Sequence, residues 1–201
     1  MATISKAGIC NLAFGNISHK STIENVDTEQ SAEARQCRLW YDVARRQALA
    51  DYNWGFARRR LAGALHNDDP PAEWAYRYQY PADAVAIREI ENPLGPLADA
   101  IPYDVELSDD GSTRSILTDA EEAVVVYTRD LETVNMFSPH FVVALSYLLA
   151  FYIAGPFTGQ KSVKGDMWKA YQGMIGVGSA HDANQSVQRA PREAPWISGR
   201  Q

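Results

Sequence analysis

Trp74-Ala-Tyr-Arg-Tyr-Gln-Tyr-Pro81 is the stretch that decides the fold. Its aromatics recur at every second position, with Ala75, Arg77 and Gln79 between them. That period belongs to a β-strand with one aromatic face, and Pro81 ends it. A chain that is helical at both ends is thereby predicted to be α+β. Working outward, Val85–Ile90 reads as a second strand, and Tyr103–Leu107, Arg114–Leu117 and Ala123–Thr128 as further short ones. Asp109-Asp110-Gly111 supplies a turn between two of them. Such short strands need only antiparallel connections, so a small sheet is expected.

The period changes to three and four on both sides. Ser5–Phe14 reads as a short helix with Gly15 placed to end it. In the next helix Asp27 with Gln30 resembles a capping box, and Ala34, Cys37, Tyr41, Ala44 and Ala48 form an apolar stripe. Trp40, Val43 and Leu49 are expected to widen the stripe. Arg38, Asp42 and Arg46 are expected to pair along the solvent side, and the helix to end near Asp51 or Tyr52. After the strands, Ser138-Pro139 is a helix start, cap followed by proline, for an apolar helix running to Gly155-Pro156. A last helix from about Ser162 carries Val163, Met167, Ala170, Met174 and Val177. The expected architecture is a bundle of about four helices, residues 1–57 and 133–185, with a β-rich insert at 58–132. Residues 186–201 contain Pro191 and Pro195 and lack periodicity, so a flexible tail is expected there.

Charge divides the same way. Residues 1–60 carry a net +3, residues 61–135 carry −12 and residues 136–201 carry +3, for −6 overall. A net acidic chain is poorly suited to gripping nucleic acid. A hydrophobic share of 46% and a charged share of 22% fit a globular chain that buries a core unaided. Cys10 and Cys37 read as buried thiols of a reducing compartment, and the start of the chain does not read as a signal peptide.

No arrangement for catalysis emerges, and neither a cofactor nor a metal is implied. Gly155–Ser162 resembles a phosphate-binding loop from a distance, but three residues separate its glycines and Gln160 precedes Lys161. A turn between antiparallel helices accounts for it. The glycines at 173, 176 and 178 are out of order for a dinucleotide fingerprint and suit close helix packing. His19, His66, His140 and His181 stand apart in sequence, without zinc spacing. The apolar run Phe141–Phe157 is about 16 residues, roughly 24 Å as a helix, short of a ~30 Å hydrocarbon core. It reads as a buried central helix.

The remaining signals concern contact. Arg58, Arg59 and Arg60 follow a helix and are candidates for a partner's acidic groups or a phosphate backbone, although such runs are commonly solvated. In the tail, Arg189, Arg192, Trp196, Ile197 and Arg200 are candidate partner contacts, because Trp and Arg are enriched at binding hot spots.

The order Glu33-Ala-Arg-Gln-Cys37, Tyr41-Asp-Val-Ala-Arg45, Leu49, Trp54-Gly-Phe56-Ala-Arg58, Leu61-Ala62 and Tyr78-Gln-Tyr80-Pro81-Ala-Asp83 resembles head-to-tail adaptors of short-tailed bacteriophages, the tail tubular protein A family. The opening Ile4-Ser-Lys-Ala-Gly-Ile-Cys-Asn-Leu-Ala-Phe-Gly15 is similar too, as are Leu149-Ala150, Ala154 and Ala180-His-Asp182-Ala183. The likeness extends over nearly the full length and is weakest in the acidic middle and the tail. It implies a structural virion protein of the tail and neck, assembled in the host cytoplasm, with a helical bundle and a small sheet domain. It also implies a ring, a dodecamer in the virion, that joins portal protein to tail nozzle protein and lets DNA pass non-specifically. An acidic lumen would keep the duplex from adhering. The isolated chain is expected to be a monomer without a membrane anchor. The alternatives are a small soluble enzyme with a site assembled from distant residues, and a membrane-associated protein held by residues 141–157.

Overall fold

The computed structural model describes residues 4–95, 98–109 and 111–184. The fold is α+β, four helices and two small antiparallel sheets. The chain divides into two compact units, Met1–Ala57 with Asp130–Gln185, and Arg58–Arg129.

In the helical unit, α1 (Lys6–Asn16) is capped by Ser5, whose hydroxyl accepts from the Gly8 amide at 3.1 Å. Gly15 does not end it. The helix closes at Ile17, and Ser18 takes the left-handed conformation, φ +58°, that Gly15 was expected to supply. The second helix, α2 (Ala32–Asp51), starts later than the expected capping box because Ser31 is the cap, accepting from Ala34 N–H at 3.2 Å. Asp27 sits instead in a turn whose amides, with that of Thr28, donate to the Asn25 side chain. The stripe Ala34, Cys37, Tyr41, Ala44 and Ala48 is buried, with Leu49, but Val43 is 48% exposed.

Ser138 and Pro139 do open α3 (Pro139–Thr158), with the Ser138 hydroxyl accepting from Phe141 N–H. Pro156 lies inside the last turn, and Gly159 closes the helix at φ +64°. At 20 residues α3 is long and apolar enough to cross a membrane by length and composition, so the length argument against a span fails. Burial decides the matter. Ten of its residues, Phe141 to Ala154, are buried, and α1, α2 and α4 (Lys161–Asn184) all pack on it. It is the central core helix of its unit. The Gly155–Ser162 stretch is the α3–α4 connection. On α4, Val163, Met167, Ala170 and Met174 are half-buried and Val177 is exposed, while Tyr171 and Gly178 lie innermost.

Trp54 is 0% exposed. Its indole donates to the Ala48 carbonyl at 2.7 Å and meets Phe141 edge-on at 5.2 Å. A Cβ on Gly178 would lie 2.7 Å from the same ring, so glycine lets α4 approach it.

The other unit holds β1 (Arg58–Ala62), β2 (Tyr76–Gln79), β3 (Ala84–Ile90), β4 (Tyr103–Leu107), β5 (Arg114–Thr118) and β6 (Val124–Arg129). One sheet has the order β1-β6-β3 and the other β2-β5-β4. The expected single sheet is thus two, and the arginine run read as following a helix is itself a strand. Both sheets line one core, with Tyr78 and Ile116 from one, and Ile90, Val125 and Tyr127 from the other. Tyr76 and Tyr80 pack against it, so the aromatic alternation does mark an inward face. Gly63 is required beside Tyr78, because a Cβ there would fall 2.6 Å from the ring. Gly111, at φ +68°, turns the chain between β4 and β5, where Ser108 and Thr113 bond each other.

Candidate functional site

Charge within Arg58–Arg129 is not spread evenly. Five of its seven arginines, Arg58, Arg59, Arg60, Arg88 and Arg129, lie on β1, β3 and β6, whereas β4 carries Asp104 and Glu106 and no cation. The strands of one sheet are therefore arginine-rich, whereas those of the other balance Arg77 and Arg114 against Asp104 and Glu106.

The arginines are organised around carboxylates. Asp83 accepts from Arg59 Nη1 at 3.0 Å, from Arg129 Nε at 2.9 Å and from the Tyr127 hydroxyl at 2.8 Å. Burial and then the hydrogen bond to Asp83 push the Tyr127 hydroxyl above its ordinary range. Arg60 Nε donates to Glu91 at 3.0 Å, and Arg88 Nε to Thr128 Oγ1 at 2.8 Å. The side chains of Arg59 and Arg60 remain 48% and 56% exposed, so each pair contributes about 0–1 kcal/mol and leaves its cation accessible. In the sequence Asp83 figures only as the end of the Tyr78–Asp83 motif, since a lone carboxylate after Pro81 gives no hint that two arginines and a tyrosine converge on it.

On the second sheet, Arg77 is buried between Asp109 at 2.7 Å and Asp68 at 3.4 Å. Its guanidinium is held above its ordinary value first by the hydrogen bond to Asp109.

In the helical unit the charges missed by sequence reading gather on Arg45. It is 2% exposed and donates to Asp130, to the Leu131 carbonyl at 2.9 Å and to Asp42 at 3.3 Å. Its position four residues after Tyr41 on the buried stripe was the available signal. The row Arg38, Asp42, Arg46 does not pair with itself. Arg38 donates to the Val26 and Glu29 carbonyls, and Arg46 meets Asp130 at 3.3 Å. Beside Arg45, a cavity of about 230 Å³ is lined by Lys6, Tyr41, Asp42, Arg45, Glu132 and Val134. The buried Tyr41 hydroxyl has no partner, and burial raises it out of its ordinary range. Lys6 already pairs with Asp27 at 3.2 Å. The lining offers a neutral balance of matched charges and no nucleophile beside a base.

The histidines, apart in sequence, are drawn into contacts. His19 Nε2 lies 2.9 Å from Glu33, and the rings of His140 and His181 are 4.5 Å apart. Among the described residues, no group of three His, Cys, Asp or Glu is placed to hold a metal ion. Arg189, Arg192, Trp196, Ile197 and Arg200 lie outside the described residues.

No protein-family model matches this chain, and no curated protein matches it.

Proposed function

We propose that this chain is a structural head-to-tail adaptor of a short-tailed bacteriophage, a ring component without catalytic activity that joins portal protein to the tail nozzle. The observation that carries the reading is the resemblance to the tail tubular protein A family over nearly the full length, from Ile4 to Ala183. The α+β fold supports it, being the bundle with a small sheet domain that such adaptors need. Segregated charge supports it too. A part standing between protein neighbours needs accessible, directional surfaces more than a pocket.

The dodecameric ring, the place in the virion tail and neck, assembly in the host cytoplasm and passage of DNA through the lumen all belong to this proposal. The competing enzyme reading would have to use the 230 Å³ cavity, where Arg45 pairs with Asp42 and Lys6 with Asp27. The membrane reading loses its segment to the core, since 56% of the apolar window of α3 is buried.

The test is size-exclusion chromatography with light scattering, on the chain alone and with portal protein. A monomer alone that adds to portal rings as a multimer is the expected result. A chain that ignores portal, or that forms stable rings unaided in dilute solution, contradicts the reading or its templated form respectively.

A further inference from the structure

The chain has two cysteines, and the helical unit brings them together from different helices, Cys10 on α1 and Cys37 on α2. Two contacts show how these helices run. The Lys6 ammonium stands over the Tyr41 ring, 5.1 Å from its centre, and His19, just past the end of α1, meets Glu33 at 2.9 Å. The start of α1 therefore faces the middle of α2, and the end of α1 faces the start of α2. Cys10 lies one turn beyond Lys6 and Cys37 one turn before Tyr41, which sets the two thiols opposite each other. Both residues are 0% exposed, as are Ala13 and Ala34 on the following turn. A hydrogen bond with the Cys37 thiol, and then burial, raise the Cys10 thiol well above its ordinary range.

We propose that Cys10 and Cys37 form an oxidation site, which peroxide closes into a disulfide tying α1 to α2. The thiolate of one cysteine attacks a peroxide oxygen, the O–O bond breaks, and a sulfenic acid and one water result. The second thiol then attacks that sulfur, the S–O bond breaks, and the S–S bond forms with release of a second water. Two thiols are oxidised and one peroxide is reduced to two waters. Peroxide is the oxidant class that fits. Neither cysteine is open to solvent, which bars a bulky reagent such as oxidised glutathione, whereas peroxide is uncharged and close to water in size. The cavity of about 230 Å³ is lined by Lys6 and Tyr41, each one turn from a cysteine on its own helix. Because its neighbour and burial hold the proton on Cys10, closure is slow.

The bond would close a loop that contains the whole connection between α1 and α2. That connection is held by polar contacts: Asn11 exchanges hydrogen bonds with the Ile23 backbone at 2.9 and 2.8 Å, and Lys6 meets Asp27 at 3.2 Å. A cross-link restricts the same segment in the unfolded chain, and so favours the folded one. In a reducing compartment the pair stays as two thiols, and it closes where peroxide is present and reductant is absent. The inference does not rest on the adaptor reading.

The test treats the folded full-length chain with hydrogen peroxide, alkylates the remaining thiols in denaturant and digests with trypsin without reductant. Mass spectrometry is expected to find the peptides Ala7–Lys20 and Gln36–Arg38 joined through Cys10 and Cys37, and separated by a phosphine reductant. The oxidised chain should melt roughly 5–10 °C higher than the reduced one. Oxidised glutathione should form the bond at least about tenfold more slowly than peroxide. Cys37→Ala should show neither the linked peptides nor the rise in melting temperature, and Cys10→Ala serves in its place if that variant does not fold. Thiols that stay unreacted, that oxidise separately to sulfinic acids, or that link one chain to another overturn the proposal. So does a melting temperature that falls on closure, and closure equally fast with oxidised glutathione overturns the assignment of peroxide.

Discussion

Trp54 shows how much one side chain can hold. Large aromatics just past a helix end are best buried, and Trp54 lies wholly inside the helical unit while Phe56 is half-buried. Trp54→Ala removes the contacts to Phe141 and Tyr52 and the indole's hydrogen bond to the Ala48 carbonyl. A loss of about 3–5 kcal/mol is expected, read from urea or thermal unfolding. Glu33 sets an acid limit. Its hydrogen bond with His19, together with its own backbone amide, holds its carboxyl below the ordinary value. The folded state therefore favours the ionised form, and the resulting stability is present above the unfolded carboxyl's range. It is lost as pH falls through the lowered folded value. Glu33→Gln should be less stable than the unsubstituted chain at about pH 7, with the gap narrowing as pH falls through the lowered folded value when melting temperatures are compared.

At the scale of elements, α3 and α4 depend on a missing side chain. Gly178→Ala puts a methyl carbon within 3 Å of the Trp54 ring, which Phe141 and the Ala48 carbonyl hold in place. The variant should lose about 1–3 kcal/mol. Gly176→Ala is the control, because a Cβ there meets nothing within 4 Å, and it should be neutral or slightly stabilising through helix propensity. A Gly178→Ala protein as stable as the Gly176→Ala one would show that α4 does not rest on Trp54. The strands follow a different logic. β2 and β5 are held by the shared aromatic core, whereas β1 exposes every residue and is kept by its ladder to β6 and by ion pairs.

For the whole molecule, the chain's function is proposed to lie in contacts it makes with copies and partners, so its tests are assembly tests. Residues 186–201 are outside the described residues, and their proposed part is that of an assembly arm. Their deletion should leave the melting temperature unchanged while weakening capture by portal, with Trp196→Ala reproducing much of the loss in a pull-down. Undiminished capture by the truncated chain would remove the arm from the account. Raised salt should weaken any contact built on Arg58–Arg60, since exposed charges are screened within a Debye length of about 10 Å at 0.1 M.

Local pattern alone determined the kind and order of most elements. The aromatic alternation at Trp74–Tyr80, the Ser138-Pro139 start and the stripe on α2 are properties of neighbours in sequence, set by backbone period and capping. Boundaries shifted where another group performed the capping first, as Ser31 did for Asp27 and Ser18 for Gly15. Only tertiary structure decided that Arg58–Ala62 is a strand, because a run of three arginines carries no alternation and takes its form from the β6 ladder. Only tertiary structure brought Arg59, Arg129 and Tyr127 onto Asp83, and Arg45 onto Asp130, across separations of 24 to 85 residues. Such clusters depend on chain segments that meet in space, and a charge leaves no trace in sequence of the distant partner that neutralises it. The core role of α3 was expected from sequence and is borne out, but the length argument for it fails, and the helices packed around it are what exclude the span that its length and hydropathy would suit.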